Sequence, residues 1–186
     1  MKKKIVALCL CIALAVVAIG GATLAYFTDT PTAKVNTFTV GNVDIDLTEK
    51  GDGNYTVTPG VNIEKDPTVT VATTSEDCWV FVKVEKSADW PTAMGYTIDS
   101  KWTQLKDADD NDVTNVYYRL VKKADTTRTL PVLTNNEVTV ANTIVNNAFD
   151  GKTVTLTVTA YAIQEATFES DPYTAWTTVS GMAAGN

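Results

Sequence analysis

The chain lacks histidine altogether, and this absence excludes most of the familiar catalytic and metal-binding motifs. None of its 186 residues is His, so an H-E-x-x-H zinc site, a Ser-His-Asp triad and a Cys-His dyad are all impossible. The sequence also has no G-x-S-x-G elbow, no P-loop and no G-x-G-x-x-G motif. We therefore expect no catalytic residues and no cofactor, and we predict that the protein is not an enzyme.

Cysteine and basic residues are scarce. Cys9 and Cys11 lie in an apolar N-terminal run, which leaves Cys78 as the lone cysteine of the remaining chain. Such a thiol is most often a small buried apolar group, and the alternative is a bridge between two chains. The chain has 15 basic and 22 acidic residues and a net charge of −7. Because this balance repels nucleic acid, no nucleic acid is expected as a partner.

The N-terminus has the pattern of an export signal. Lysines at positions 2–4 precede an uncharged run over residues 5–19, and a small-residue exit ends at Ala25. This order is typical of a secretory signal peptide, so we predict that signal peptidase cleaves between Ala25 and Tyr26 during export. The predicted location is the extracellular matrix or the cell surface. A retained membrane anchor is the alternative, since residues 5–27 are uncharged and long enough to cross a bilayer.

Two-residue alternation of apolar and polar side chains dominates the rest of the sequence. It is clear over residues 43–48, and the most apolar run, residues 78–85, is predicted to be a central strand. Residues 152–164 form the longest strand candidate, with threonines along one face. About eight strands separated by turn signals predict an all-β fold, a single jelly-roll-like antiparallel β-sandwich over residues 37–186, preceded by a signal-peptide helix.

Two further stretches are less regular. Residues 96–105 are predicted to form one strand. Residues 171–181 are predicted to form either a short amphipathic helix or a loop that folds back through Trp176.

A flexible N-terminal segment, residues 26–36, separates the predicted signal (1–25) from the sandwich. An open sheet edge carries unpaired N–H and C=O groups, which a strand from another molecule can satisfy. We predict that export and cleavage free this segment to act as a donor strand, and the alternative is a disordered tail. The predicted donor residues are Tyr26, Phe27, Thr28, Asp29, Thr30, Pro31 and Thr32.

An acidic loop offers one weak metal candidate. Asp107, Asp109 and Asn111 occupy the first, third and fifth positions of a calcium-loop pattern, and their oxygens suit Ca²⁺. The sixth position is Asp112 where an EF-hand has glycine, and the twelfth is Tyr118 where it has glutamate. The EF-hand interpretation therefore fails, and only weakly bound calcium is left as a candidate.

The four tryptophans also have two interpretations. A stacking platform for carbohydrate is one, and packing in the core or at its rim is the more ordinary role. The residues are Trp79, Trp90, Trp102 and Trp176.

Several segments together resemble the TasA/camelysin family of Gram-positive secreted proteins, which the dedicated signal peptidase SipW processes. The resemblance rests on the signal end Gly20-Gly21-Ala22-Thr23-Leu24-Ala25, on Tyr26-Phe27-Thr28-Asp29, and on Phe38-Thr39-Val40-Gly41-Asn42-Val43-Asp44-Ile45-Asp46-Leu47. It implies a jelly-roll subunit of biofilm matrix fibres, joined by donation of the N-terminal strand.

The expected partners are therefore further copies of the chain, with a matrix accessory protein or polysaccharide as additional candidates. The alternative function is a monomeric module for adhesion at the cell surface or in the matrix, or an accessory to the fibres. Camelysins are also regarded as surface metalloproteases, which makes that activity a remote alternative for a chain without histidine.

Overall fold

The computed structural model describes residues 37–40, 42–50, 55, 57–143, 154–168 and 171–184, with residues 37–40 described by their backbone alone. The predicted signal peptide with its helix, the cleavage point after Ala25 and the predicted donor residues 26–32 lie outside these ranges. The described part contains one α-helix and eleven strands: β1 (Thr37–Val40), β2 (Ile45–Thr48), β3 (Ile63–Glu64), β4 (Thr68–Val71), β5 (Cys78–Lys86), β6 (Met94–Gly95), β7 (Thr103–Lys106), β8 (Asp112–Val121), β9 (Thr129–Pro131), β10 (Glu137–Val140), β11 (Leu156–Gln164) and α1 (Pro172–Ala184).

The largest sheet has five strands in the order β1-β11-β5-β8-β7. The predicted central strand is confirmed, because β5 lies between β11 and β8 and pairs antiparallel with both. β1 pairs in parallel with β11, with Thr37 opposite Ala160. The first and last strands of the described chain thus lie side by side, and the sheet is not purely antiparallel.

A first core joins this sheet to a second sheet of order β2-β4-β9. The alternation predicted for residues 43–48 is confirmed, since Ile45 and Leu47 are buried while the residues between them are exposed. They share one cluster with Val69 of β4, Val82 of β5 and Ala162 of β11. The described residues also form a third sheet, of order β3-β10-β6, and one C-terminal helix. The prediction of a fold made mostly of antiparallel β-sheets is therefore confirmed.

A second core lies on the opposite face of the five-stranded sheet, beneath α1. Phe81 is fully buried there, and its ring centroid lies 5.6 Å from that of Trp176 and 6.4 Å from that of Tyr118. Ala175 and Val179 complete the buried side of the helix. Of the two alternatives for residues 171–181, the helix is confirmed, and Trp176 anchors it to the sheet.

Asp171 explains why the helix begins at Pro172. Its Oδ1 accepts hydrogen bonds from the backbone N–H groups of Tyr173 (3.0 Å) and Thr174 (3.1 Å), and its Oδ2 accepts one from the Thr174 hydroxyl (2.6 Å). Proline suits the first helical position, where no N–H partner is needed. The bonds from Thr174, followed by that from Tyr173, lower the pKa of Asp171.

Replacing this cap is expected to weaken the helix measurably. Asp171→Ala should lower the free energy of unfolding by about 1 kcal/mol at neutral pH, and Asp171→Asn by less, because asparagine also caps helices. The pKa of Asp171 is lower in the folded state than in the unfolded state. The stabilisation by the Asp171 carboxylate is therefore complete above the unfolded-state pKa, and it is lost as the pH falls through the folded-state pKa. Urea denaturation at neutral and at strongly acidic pH measures this. If Asp171→Ala lowers the free energy of unfolding by the same amount at both pH values, the capping role of the carboxylate is contradicted.

Two predicted strands differ from the observed ones. The prediction of a single strand over residues 96–105 is wrong, because a turn separates β6 from β7. In this turn the Asp99 side chain accepts a hydrogen bond from the N–H of Lys101 (2.9 Å), and the Asp99 carbonyl accepts one from the N–H of Trp102 (2.9 Å). Aspartate favours such turns over extended pairing. The strand predicted from residue 152 begins instead at Leu156.

Candidate functional site

The five-stranded sheet ends in two short strands, β1 and β7, of four residues each. Within the described residues β1 pairs with β11 alone, and β7 pairs with β8 alone. Each pairing uses one side of the strand, so the other side presents backbone N–H and C=O groups to a further strand. These two edges are the first candidate site.

The second candidate is a groove of about 580 Å³, within the size range of ligand sites. It lies where β5 ends, beside β6 and the β7–β8 hairpin. Its lining includes Lys86, Trp90, Tyr96, Asp99, Gln104 and Tyr117.

Three aromatic side chains form much of the groove wall and stay partly exposed. Trp90 and Tyr96 meet edge to face, with ring centroids 6.2 Å apart at 88°. The Trp90 indole donates a hydrogen bond to the Met94 carbonyl (3.0 Å), which fixes the ring. Tyr117 lies across the groove on β8, opposite Gln104 in the register of the hairpin. The aromatic wall is therefore built on paired strands and a hydrogen-bonded turn.

The polar groups of the groove carry both donors and acceptors. Burial raises the pKa of Tyr96, and the neighbouring Tyr117 adds to this shift. Burial, with a further effect from Asp112, raises the pKa of Tyr117. Both hydroxyls therefore keep their protons at neutral pH and are able to donate hydrogen bonds.

The structure separates the four tryptophans, which excludes the alternative of one platform built from all four. Trp90 and Trp102 both line the groove, although Trp102 is only 6% exposed and donates a hydrogen bond to the Pro131 carbonyl (2.8 Å). Trp79 and Trp176 belong to the second core. Core packing is the role of that second pair.

Sequence reasoning missed Tyr96, Tyr117 and Gln104 as groove residues. They are far apart in sequence, and only the hairpin register brings Gln104 opposite Tyr117. The spacing of Gln104 and Tyr117 around the turn-rich residues 107–112 is the signal that indicates this pairing.

The acidic loop is the turn of the β7–β8 hairpin. The Asp107 Oδ1 accepts hydrogen bonds from the backbone N–H groups of Asp109 and Asn111, each 2.9 Å long, and the Asn111 bond is the main cause of its lowered pKa. The Asn111 carboxamide nitrogen also lies 3.3 Å from both carboxylate oxygens of Asp107. A cation at Asp107 would compete with these donors.

No group of three or more His, Cys, Asp or Glu residues that could hold a metal ion occurs in the part of the chain described. Weak calcium binding by Asp107, Asp109 and Asn111 stays a prediction. Its test is a calcium titration followed by the melting temperature, and no shift at about millimolar calcium discards the site.

Cys78 is buried, as the commoner interpretation predicts. Its side chain is fully enclosed in the first core, and burial raises the pKa of the thiol to about 11. The thiolate needed for disulfide exchange is therefore scarce at neutral pH. A bridge between two chains through Cys78 would require strand β5 to open.

The comparisons with known proteins bear on the N-terminal part of the chain. Residues 1–74 match the model of a family described as camelysin metallo-endopeptidase. This match confirms the predicted resemblance to the TasA/camelysin family over a stretch that ends just after β4. No match was found among curated proteins or among solved structures. Among the described residues, no helix has the length and apolar character needed to cross a bilayer.

Proposed function

We propose that this protein is a secreted structural subunit that assembles with further copies of itself into extracellular matrix fibres by donating its N-terminal strand. The observation that carries the proposal is that β1 and β7, at the two ends of the five-stranded sheet, each pair with a single strand among the described residues. In the sequence, residues 26–36 directly precede β1, the strand that forms one of these edges.

The size and chemistry of the segment suit this role. Residues 26–32 span about 23 Å when extended, which exceeds the length of either four-residue edge strand. Backbone hydrogen bonds would supply affinity, and Phe27 would fill an apolar pocket at an alternate position. Pro31 lacks an N–H, which is tolerated at a strand that forms the new edge.

We also propose that the domain is a jelly-roll-like β-sandwich. A jelly-roll-like sandwich is supported by the shared core of the five-stranded sheet and the β2-β4-β9 sheet. α1 is an addition to that sandwich, on its outer side.

Cleavage after Ala25 would control when assembly begins. While residues 1–25 remain attached, the donor segment is tethered at the membrane and cannot reach a neighbour. Signal peptidase would release it. Residues 1–25 hold three of the 15 basic residues and none of the 22 acidic ones, so the freed protein has a net charge of 12 − 22 = −10. Salt should therefore promote association by screening repulsion between copies.

Electron microscopy of the protein freed of residues 1–25 tests the proposal. Fibres that form more readily at higher salt are expected. Single particles at high concentration would instead favour the alternative, a monomeric adhesion or accessory module.

N-terminal sequencing of the secreted material fixes the cleavage point, and an intact N-terminus would favour the retained anchor.

Catalysis is not part of the proposal, and the absence of histidine from the sequence supports leaving it out. The remote alternative of a camelysin-like protease is tested by casein cleavage with and without a chelator. Cleavage that the chelator abolishes would overturn the non-enzymatic assignment.

A further inference from the structure

We propose that the groove bordered by Trp90, Tyr96 and Tyr117 binds a neutral saccharide chain. This inference does not rest on fibre assembly, since every residue of the groove belongs to one copy. The groove lies outside residues 1–74, which match the family model, and the proposed assembly through the sheet edges assigns it no ligand.

The aromatic wall supplies the apolar part of the recognition. Sugar rings present C–H groups on one face, and these pack against aromatic rings that are held rigid and partly exposed. Trp90 and Tyr96 meet this description, because each is half-buried and the two rings are locked at 88° to one another. A rigid wall also loses little conformational entropy when a ligand binds.

The polar groups supply the other part. Sugar hydroxyls both donate and accept hydrogen bonds, so they need a mixed lining. Tyr96 and Tyr117 keep their phenolic protons, while Asp99 and Lys86 add an acceptor and a donor. Gln104 donates through Nε2 to the carbonyls of Val113 (2.8 Å) and Val116 (3.0 Å), so its side chain is fixed in place.

The charge of the groove favours a neutral ligand. Its lining includes one basic and one acidic residue, Lys86 and Asp99, which leave no net local charge. The chain as a whole has a net charge of −7, so an anionic polysaccharide would be repelled.

The backbone around the groove disfavours a peptide that adds as a strand. Gly95 already pairs with Thr139 of β10. The Thr97 carbonyl accepts a hydrogen bond from the N–H of Thr134 (2.8 Å), and the Asp99 N–H donates to the Val132 carbonyl (2.9 Å). A ligand recognised through side chains fits this groove better than one recognised through backbone pairing.

Isothermal titration of the full chain with neutral hexasaccharides of glucose, mannose and N-acetylglucosamine tests the proposal. Hexagalacturonate serves as the anionic comparison. We expect at least one neutral chain to bind, with an affinity that changes little between low salt and about 0.5 M salt. Failure of all three neutral chains to bind at millimolar concentration overturns the proposal, and so does equal or tighter binding of hexagalacturonate.

Two conservative variants place the binding in the groove. Tyr117→Phe keeps the ring but removes a hydroxyl, and it should weaken binding about threefold to tenfold. Trp90→Phe keeps part of the packing against Met94, and it should weaken binding by up to about tenfold. Unchanged melting temperatures exclude unfolding as the cause.

Tyr118→Phe is the matched control. Tyr118 is the next residue of β8 but faces the second core, where its ring lies 5.6 Å from that of Trp79. The Tyr118→Phe variant should bind the saccharide with the same affinity as the unchanged protein. Equal losses in Tyr117→Phe and Tyr118→Phe, or no loss in either groove variant, contradict the assignment.

Discussion

Deletion of residues 26–32 is expected to abolish fibre formation by the protein freed of its signal segment. The deletion removes the proposed donor strand and leaves the open edges of β1 and β7 without a partner. Negative-stain electron microscopy and pelleting at high concentration measure the loss. Normal fibres from the deleted protein would defeat strand donation by this segment.

The same deletion should leave the domain folded, which separates loss of the strand from loss of the fold. The deletion removes none of the buried residues that form the two larger clusters of the described part of the chain. The melting temperature is therefore expected to stay within a few degrees of that of the undeleted protein at monomeric concentrations. A variant in which residues 26–32 are replaced by a Gly-Ser stretch of equal length controls for spacing, and it too should form no fibres.

Phe81→Ala is expected to be the most destabilising single substitution in the second core. Phe81 is fully buried between Tyr118 and Trp176. Truncation leaves a cavity that the rigid five-stranded sheet cannot close, so the free energy of unfolding should fall by about 3–5 kcal/mol. Urea denaturation followed by tryptophan fluorescence measures this loss.

Leu120→Ala is the matched comparison for Phe81→Ala. Leu120 belongs to β8, the strand next to that of Phe81, but it is 36% exposed. The substitution removes an apolar side chain without opening a sealed cavity, and the expected loss is clearly smaller, of the order of 1 kcal/mol. Similar losses in the two variants would show that α1 does not seal the second core as described.

Local pattern predicted the strands well where burial alternates strictly. The buried Ile45 and Leu47 follow from this alternation, because one face of β2 must reach the core. The central strand β5 follows instead from its continuous apolar run, which is buried on both faces. The helix α1 was predicted only as one of two alternatives. Its anchor, Trp176, is visible in the sequence, whereas the three hydrogen bonds accepted by Asp171 are apparent only in the structure.

Features that depend on distant pairing were not predictable from the sequence. The parallel pairing of β1 with β11 joins residues more than a hundred positions apart, and no local periodicity encodes that choice. In the groove the pairing is local, but the exact register of the β7–β8 hairpin decides that Tyr117 faces the groove while Tyr118 packs in the second core. The division of the tryptophans between core and groove follows from that register as well.

Cross-linking within mixed-isotope fibres tests most directly whether the N-terminal segment binds another copy. Equal amounts of ordinary and ¹⁵N-labelled protein, each freed of residues 1–25, are assembled together and treated with an amine-reactive cross-linker. Lys34 lies inside the segment, Lys101 lies just before β7, and Lys106 is the last residue of β7. A cross-link from Lys34 to either of them would identify β7 as the accepting edge. Strand donation predicts that Lys34 cross-links join light and heavy chains as often as chains of the same isotope. Lys34 cross-links found only within single-isotope pairs would mean that the segment folds back onto its own molecule, which contradicts the proposal.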